Sequence, residues 1–279
     1  MNIIEGEFEM NIIKEVINGL REVKEKSPLV HHITNYVTVN DCANIVLALG
    51  GSPVMADDIK EVEEMVSFAS ALVINIGTLN ERTINSMIKA GIRANELNIP
   101  VILDPVGVGA TALRTKTAKV LLEKVKFAVI RGNMSEIKFI AGIDVDIKGV
   151  DSVASDEGAL AIAQNLARRL STVVAITGAR DTITDGKRYC LVDNGHKILS
   201  RVTGTGCMST SLIGTYMGVT QDSLISAVAG IITMGIAGEK SYESLKEDEG
   251  IGTFKGRLFD NIYNFSEKDL KSRGKVTYE

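Results

Sequence analysis

Short, continuous apolar segments alternate with longer amphipathic segments along most of the chain. The apolar segments are rich in Val, Ile and Leu, a pattern typical of β-strands that are covered on both faces. Six such strands are predicted, at residues 29–33, 53–55, 71–76, 101–103, 127–130 and 173–176. Between them, the spacing of apolar positions predicts helices at 59–70, 81–97 and 115–124. This alternation indicates crossover connections, so we expect an α/β fold with a largely parallel central sheet and helices on both faces.

The last third of the chain does not follow this alternation. Turn-forming Asp-Gly and Asn-Gly pairs punctuate the stretch 182–194, which predicts antiparallel strands near one edge of the sheet. Beyond it, the apolar periodicity predicts helices at 207–219, 223–239 and 253–266. An amphipathic helix in the N-terminal extension is expected to pack on the body of the protein. Because no Pro- or Ser-rich linker interrupts the chain, we expect a single domain over residues 1–279.

The composition is that of an ordinary globular protein. Lys and Arg number 31 against 35 Asp and Glu, a net charge of −4, and the sequence has no basic cluster of the kind that binds nucleic acid. The three cysteines form neither an even disulfide framework nor a metal-ligand spacing. The charge-free stretch 223–238 is shorter than the roughly 20 residues of a membrane-spanning helix, so we expect a buried helix. Acidic residues stand where a signal peptide needs basic ones, and the expected location is the cytoplasm.

Two glycines lie directly before the predicted helix at 207–219, in the segment Gly204-Thr205-Gly206-Cys207. Such glycines allow backbone amides to converge at a helix N-terminus, which favours an anion such as a phosphoryl group in transfer. A tight turn that only packs against a neighbouring segment explains the same residues. Cys207 has either a thiol of lowered pKa at the helix start or the ordinary role of a small buried residue.

An aspartate and a glycine-rich segment follow the predicted strand at 101–103. Asp104 at a strand end, with Gly107 and Gly109 beyond it, suits a hydrated Mg²⁺ beside phosphates. The two glycines also resemble part of a dinucleotide-binding fingerprint, but the third glycine and the downstream acidic residue are missing at the required spacing. An Asp-Pro turn without a ligand is the structural alternative.

Two further strand ends carry polar residues. Arg131 and Glu136 follow the strand at 127–130, where Arg131 is a candidate clamp for phosphate oxygens and Glu136 a second acidic group near Mg²⁺. Capping of the next helix by Asn133 or Ser135 accounts for the acidic residue without a ligand, and the two roles are compatible. Thr177 follows the strand at 173–176, where its hydroxyl is either a nucleotide contact or part of a simple turn.

The first predicted strand contains His31 and His32 and is followed by Asn35. Paired histidines suggest a metal, but no third ligand follows at helical spacing, so structural roles are expected for both. Asn35, at the strand end, is a candidate hydrogen-bond partner for a polar group on a small substrate.

Taken in order, these segments resemble the hydroxyethylthiazole kinase family, a branch of the ribokinase-like vitamin kinases. The resemblance extends from about residue 28 to the last predicted helix and so covers nearly the whole chain. Its most specific motifs are HITNYVT at 32–38, GSPVM at 51–55, DPVG at 104–107, RGNMSE at 131–136 and GTGCM at 204–208.

The resemblance implies a ribokinase-like fold and ATP-dependent phosphorylation of the hydroxyl of hydroxyethyl-methylthiazole, a step of thiamine salvage. The implied site residues are Met55, Asn35 and Gly204 for the thiazole alcohol, Arg131 and Thr177 for ATP, Asp104 and Glu136 for Mg²⁺, and Gly204, Gly206 and Cys207 for catalysis. It also implies a homotrimer with sites near the subunit contacts. Neither a nucleic acid nor a membrane is expected as a partner.

One position differs from the wider ribokinase-like pattern. Most ribokinase-like enzymes carry an aspartate, their general base, where this chain has Cys207, although cysteine matches the thiazole kinases. The thiol either serves in part as a thiolate or only orients the substrate hydroxyl, and a loose phosphoryl-transfer transition state is compatible with both. The alternative functions are a kinase of another small alcohol such as hydroxymethylpyrimidine, a nicotinamide-dependent dehydrogenase and a non-catalytic thiazole-binding sensor.

Overall fold

The structure, a computed structural model, describes residues 3–142 and 156–278 of the chain. The α-helices in these ranges are α1 (Ile3–Lys26), α2 (Val39–Leu49), α3 (Val62–Phe68), α4 (Glu81–Glu96), α5 (Ala112–Lys124), α6 (Met134–Ala141), α7 (Asp156–Leu170), α8 (Thr205–Met217), α9 (Ser223–Glu243), α10 (Ile251–Tyr263) and α11 (Glu267–Arg273). The strands are β1 (Leu29–Ile33), β2 (Ser52–Val54), β3 (Ala71–Asn75), β4 (Val101–Asp104), β5 (Val129–Asn133), β6 (Val173–Thr177), β7 (Asp181–Thr184), β8 (Tyr189–Val192) and β9 (Val276–Tyr278).

The strands form one sheet in the order β2-β1-β3-β4-β5-β6-β7-β8-β9. The strands β1 to β6 pair in parallel, as the alternation of strands and helices predicted. At one edge β7, β8 and β9 pair antiparallel, and the hairpin between β7 and β8 confirms the interpretation of the stretch 182–194. The prediction of an α/β fold with a largely parallel sheet is therefore confirmed.

Alternate residues of the central strands face opposite sides of the sheet, and both sides are buried. In β3, for example, Val73 packs into one core, whereas Leu72 and Ile74 pack into the other. Helices α1, α2 and α8 to α11 contribute to the first core, and α3 to α7 contribute to the second. Burial on both sides explains why the sequence of these strands is continuously apolar instead of alternating.

Helix α9 is the apolar segment that the sequence analysis assigned to the interior. By length and composition alone it is long and apolar enough to cross a membrane. However, 83% of its most apolar 18-residue stretch is buried inside the molecule. Its N-terminus is capped by Asp222, whose side chain accepts the N–H groups of Leu224 and Ile225. The helix packs closely on α8, where Gly230 lies against the backbone of Ile213. The prediction of a buried helix is confirmed.

The two ends of the chain pack on the same side of the sheet. The amphipathic pattern in α1 is explained by Val16 and Leu20, which are buried in the first core. The helix predicted at 253–266 corresponds to α10, which ends at Tyr263, and a separate helix, α11, follows because Ser266 forms a capping box with Asp269. The sequence analysis did not predict β9, which extends the sheet by pairing with β8.

The close contact between α8 and α9 makes a stability prediction. A Cβ at Gly230 would lie 2.6 Å from the backbone nitrogen of Ile213, so Gly230→Ala is expected to destabilise the protein by about 1–3 kcal/mol through overpacking. Gly256→Ala is the matched control, because Gly256 is an exposed position of α10 with nothing within 4 Å of a Cβ. This control is expected to stabilise the protein by about 0.5–1 kcal/mol. Denaturant unfolding measures both changes, and equal effects would contradict the packing described for α8 and α9.

Candidate active site

Polar side chains cluster where the carboxyl ends of four neighbouring strands meet. Three of these side chains belong to the last residue of a strand: Asn75 in β3, Asp104 in β4 and Thr177 in β6. Arg131 lies two residues before the end of β5. The sheet register pairs Asn75 with Asp104 and Asn133 with Thr177, so the strands end at the same level. Open parallel sheets bind their ligands at this edge, which makes the cluster the candidate active site.

The backbone at the start of α8, from Gly204 to Gly206, lies close to this cluster. Gly204 has a φ of +88°, a left-handed conformation that favours glycine, and a Cβ there would lie 2.7 Å from Thr38. A Cβ on Gly206 would lie 2.5 Å from the guanidinium of Arg131. The first N–H groups of α8 lack intrahelical acceptors, as in every α-helix, so an electropositive helix end lies beside Arg131.

Arg131 lies between the strand ends and the start of α8. Its Nη2 donates to Oγ1 of Thr177 at 2.6 Å, and its Nη1 lies 3.9 Å from Oδ1 of Asp104. The side chain is only 13% exposed, and its Nε has no hydrogen-bond partner among the described residues. A buried guanidinium with an unused donor is suited to bind an anion that enters the site.

Asp104 is a fully buried carboxylate at the end of β4. Its Oδ2 accepts hydrogen bonds from Nδ2 of Asn75 at 2.8 Å and from Oγ1 of Thr210 at 3.0 Å. Its Oδ1 has no hydrogen-bond partner within residues 3–142 and 156–278. Burial raises the pKa of this carboxyl to about 6, and the charge of Arg131 opposes the rise. At neutral pH the group is therefore mostly ionised, with one oxygen available to a ligand.

Glu136 supports the same region from the first turn of α6. Its Oε2 accepts the N–H of Asn133 at 2.8 Å, and its Oε1 accepts the N–H of Gly107 at 2.9 Å. Asn133 in turn accepts the N–H of Glu136, so the cap that the sequence predicted is formed. The charge of Glu136 also raises the pKa of Asp104, and the bond to Gly107 joins Glu136 to the segment that follows Asp104.

These carboxylates fit a hydrated Mg²⁺ better than an ion held entirely by protein ligands. The described part of the chain has no group of three or more His, Cys, Asp or Glu arranged to hold a metal. Mg²⁺ usually keeps several waters and binds one or two carboxylates together with substrate phosphates. The unpartnered Oδ1 of Asp104, with Glu136 as the neighbouring carboxylate, meets that requirement.

Cys207 lies in the first turn of α8 and is partly buried. Its Sγ accepts the Nδ2 hydrogens of Asn75 at 3.3 Å and of Asn35 at 3.5 Å. Burial, and after it the charge of Asp104, raises the pKa of the thiol above its ordinary value. The lowered pKa that the helix start suggested is not found, so the thiol is neutral at pH 7.

Asn35 lies beside Cys207 and is 4% exposed. Its Nδ2 donates to Oδ1 of Asn75 at 3.0 Å as well as to the sulfur. Its Oδ1 accepts from the backbone N–H and the hydroxyl of Thr38, each at 3.1 Å. These bonds fix the side chain of Asn35 beside Cys207. Its contact with a substrate stays a prediction.

Two cavities open at this edge of the sheet. The larger, about 540 Å³, is lined by Arg131, Thr177 and Gly206, and its apolar wall includes Ile231 and Met234. The smaller, about 270 Å³, is lined by Met55 together with the chain neighbours of Asn35. The predicted ATP residues therefore share one cavity, whereas Met55 lies in the other.

The Gly107-x-Gly109 segment, which suggested a dinucleotide site, is packed against protein side chains. A Cβ on Gly109 would lie 2.6 Å from the ring of Phe139, and Arg114 lies directly against Gly107. A dinucleotide-binding turn keeps its glycines open so that the pyrophosphate can approach the backbone. The dehydrogenase alternative therefore lacks the structural feature on which it depended.

Both histidines of β1 form hydrogen bonds within the protein. Nε2 of His31 bonds to the carbonyl of Ala56 at 2.7 Å, and Nε2 of His32 bonds to the hydroxyl of Ser211 at 3.1 Å. Burial lowers the pKa of His32 to about 4, so its ring is neutral at physiological pH. These contacts agree with the structural roles expected for the pair.

The sequence analysis did not single out three polar residues of the site, Asn75, Thr210 and Asp181. Asn75 is the one polar residue in the apolar segment 71–76, and a buried amide at a strand end is a signal that could have identified it. Asp181 lines the larger cavity, accepts the N–H of Gly178 at 2.8 Å and has its pKa raised by burial to about 6. Its position three residues beyond the turn glycine gave no comparable signal.

The sequence matches that of a known family over most of its length. A sequence model of the hydroxyethylthiazole kinase family matches residues 20–268. Hydroxyethylthiazole kinase of Alkaliphilus oremlandii is 59% identical over 268 residues, which are 96% of this chain and 99% of that protein. Hydroxyethylthiazole kinase of Methanocella arvoryzae is 50% identical over 93% of this chain and 96% of that protein.

The fold is similar to solved structures as well. The hydroxyethylthiazole kinase structure from Pyrococcus horikoshii superposes with a TM-score of 0.87 at 43% identity, covering 95% of this chain and 99% of that one. Pyridoxal kinase from Staphylococcus aureus, in complex with ADP, gives a TM-score of 0.62 at 13% identity over 90% of this chain and 98% of that one. The second likeness reflects the shared ribokinase-like fold alone.

The environment of Cys207 predicts how the thiols react. Because its pKa is raised, Cys207 is expected to reach its half-maximal alkylation rate only above about pH 8.5, the ordinary thiol pKa. Cys42 and Cys190 are buried and are expected to stay unmodified in the folded protein. Iodoacetamide labelling across pH with peptide mapping measures this, and labelling of the unfolded chain is the control. A half-maximal rate at or below pH 7.5 would contradict the description of a neutral thiol.

Proposed function

This chain belongs to the hydroxyethylthiazole kinase family, and from that premise we propose that it transfers the γ-phosphoryl group of ATP to the hydroxyl of hydroxyethyl-methylthiazole in thiamine biosynthesis or salvage. The observation that carries the proposal is the 59% identity to a hydroxyethylthiazole kinase over 96% of the chain. The geometry of the strand-end cluster supports the same reaction, because it gathers anion-binding groups at one edge of the sheet.

The larger cavity is the proposed ATP site. Its apolar wall suits a purine base, and Arg131 and Thr177 lie at the strand ends, where the phosphates would enter. The guanidinium of Arg131 and the first N–H groups of α8 lie close together at Gly206, where they would stabilise negative charge on the transferring phosphoryl group. We assign Gly204 and Gly206 to catalysis because both allow this close approach.

Mg²⁺ is the proposed metal, with Asp104 as the carboxylate that would hold it and Glu136 as its neighbour. When bound, it would neutralise charge on the ATP phosphates. Asp104 contributes one oxygen without a partner, and its other oxygen is fixed by Asn75 and Thr210. The side chain of Asp104 is thereby held in place before any ligand enters, and that of Glu136 is held by the N–H groups of Asn133 and Gly107.

The thiazole alcohol is proposed to bind in the smaller cavity, against Met55 and beside Asn35 and Gly204. The substrate hydroxyl would attack the γ-phosphorus in line with the leaving ADP oxygen. Because burial keeps the thiol of Cys207 neutral, we propose that it orients this hydroxyl and does not act as a strong base. A positioned base adds about 10²–10⁴-fold to a rate, whereas phosphoryl transfer depends mostly on positioning and charge stabilisation, so the proposed mechanism does not require a strong base.

The remaining proposals concern the whole chain. We propose that residues 1–279 form a single kinase domain, which is supported by one continuous sheet from β2 to β9. A homotrimer in the cytoplasm is the proposed working form. Tyr36 and Val37 are 79% and 56% exposed next to the smaller cavity, as a surface covered by another subunit would be.

The test of the function is ADP release under saturating Mg-ATP with hydroxyethyl-methylthiazole present and absent. ADP is expected to form at least about tenfold faster with the alcohol, and the phosphorylated alcohol is expected in equal amount. Hydroxymethylpyrimidine is the competing alcohol, which a site built for the thiazole ring is expected to reject. Preference for the pyrimidine would favour the other kinase, and binding of the thiazole without ADP release would favour a sensor.

The buried Asp104 predicts a pH dependence. Its ionised form is the one that would hold Mg²⁺, and this form is lost as the pH falls through about 6. The kcat/KM for ATP is therefore expected to decline about tenfold per pH unit below that value, because kcat/KM reports ionisations of the free enzyme. Asp181→Asn is the matched control, since Asp181 also titrates at about 6 and the decline should persist in this variant. A wild-type profile that stays flat to pH 5 would exclude this role for Asp104.

A further inference from the structure

Asn75 lies at the centre of the hydrogen-bond network behind the proposed reaction centre. It is the last residue of β3, is 1% exposed, and is level with Asp104 in the neighbouring strand. Cys207 of α8 lies on its other side, within 3.3 Å of its amide nitrogen. The side chain therefore lies between the carboxylate proposed to hold the metal and the thiol proposed to face the hydroxyl.

The orientation of this amide is determined by its partners. Its Oδ1 accepts the backbone N–H of Gly77 at 2.9 Å and Nδ2 of Asn35 at 3.0 Å, so the other atom must be the nitrogen. The two hydrogens on Nδ2 then go to Oδ2 of Asp104 at 2.8 Å and to Sγ of Cys207 at 3.3 Å. Every donor and acceptor of the amide is used, which leaves a single stable orientation.

Both bonds from the nitrogen have a consequence for the reacting groups. The bond to Asp104 occupies Oδ2, together with Thr210, so that only Oδ1 remains for a ligand. The bond to Cys207 occupies a lone pair of the sulfur, so that the sulfur keeps one position relative to the end of β3. The amide of Asn75 thus sets the distance between the Asp104 carboxylate and the Cys207 sulfur.

We propose that Asn75 is a positioning residue of the phosphoryl transfer, which holds the Asp104 carboxylate and the Cys207 sulfur in one fixed arrangement through its two amide hydrogens. This inference rests on the proposed kinase function. It assigns no contact with ATP or with the alcohol to Asn75. A displacement of about 1 Å at reacting groups can cost about 10²-fold in rate, so the loss of this link is expected to lower kcat strongly.

The variant Asn75→Asp separates the two halves of the amide. It has nearly the same shape and keeps an oxygen that can accept from Gly77 and Asn35, but at neutral pH it loses both donated hydrogens. Its kcat is expected to fall about 10²-fold, whereas the KM for ATP should change by less than about threefold, because the residue does not touch the nucleotide.

A comparison of two variants distinguishes positioning from a merely structural role. Asn75→Asp keeps the acceptor oxygen and loses the two donated hydrogens, whereas Asn75→Ala loses both halves of the amide. If the donated hydrogens position Asp104 and Cys207, the two variants are expected to lose kcat to a similar extent, each with a KM for ATP within about threefold of the wild type.

A second measurement needs no activity. The hydrogen bond from Asn75 lowers the pKa of the Cys207 thiol, so its loss should move the half-maximal alkylation of Cys207 to higher pH. Asn75→Ala is the variant for this measurement, because it removes the amide without introducing a charge that would itself raise the pKa of the thiol. Asn95→Asp is the matched control, because Asn95 also donates through its amide, to the carbonyl of Lys126 at 2.9 Å, far from the site in sequence and fold. It is expected to leave kcat and the alkylation profile unchanged.

The outcomes separate this inference from the proposed function. If the wild type releases no ADP with the alcohol, the kinase function fails, and the alkylation profile still tests the contact between Asn75 and Cys207. If the wild type is active but Asn75→Asp keeps its kcat and Asn75→Ala keeps the alkylation profile, the positioning role is overturned while the kinase function stands. A loss of kcat together with an unchanged thiol profile would also overturn the positioning role.

Discussion

The burial of one charge, the carboxylate of Asp104, is the constraint on which the rest of the site depends. An ionised carboxyl without solvent contact is costly unless hydrogen bonds and an opposite charge compensate it. Asn75 and Thr210 supply the hydrogen bonds, and Arg131 supplies the charge at 3.9 Å. Compensation is incomplete, because Oδ1 has no partner in the described ranges and the pKa stays raised. A folded site with this remaining deficit favours the binding of a cation.

The same compensation orders the elements around the site. Thr210 belongs to α8, so its bond to Asp104 also holds this helix against the end of β4, and Arg131 of β5 lies against the helix start at Gly206. This brings a positive guanidinium close to the electropositive helix end at Gly206. Two positive groups in contact repel each other unless an anion lies between them. This arrangement supports the proposed phosphoryl transfer, because the candidate cation-binding and anion-binding groups lie close together.

Much of the fold and of the site followed from the sequence, and the reasons are local. Continuous apolar segments identified the parallel strands, and the position just after each strand identified Asp104, Arg131 and Thr177 as candidates. The family resemblance supplied what single positions could not, such as the roles of Met55 and Gly204. What escaped prediction depends on contacts between distant segments: β9 is a three-residue strand that exists only because β8 offers an edge. Asn75 acquires its importance from residues 29 and 132 positions further along the chain.

The thiol at position 207 is understandable in the light of these charges. Most of the wider ribokinase-like group carries an aspartate at this position. In this site, the charge of Asp104 already raises the pKa of the Cys207 thiol. A second carboxylate would add repulsion in a buried space and would compete with the phosphates for the helix N-terminus. A neutral sulfur accepts the amide hydrogens of Asn35 and Asn75 without that cost. The cysteine therefore fits the proposed role of orienting the substrate hydroxyl better than the role of a strong base.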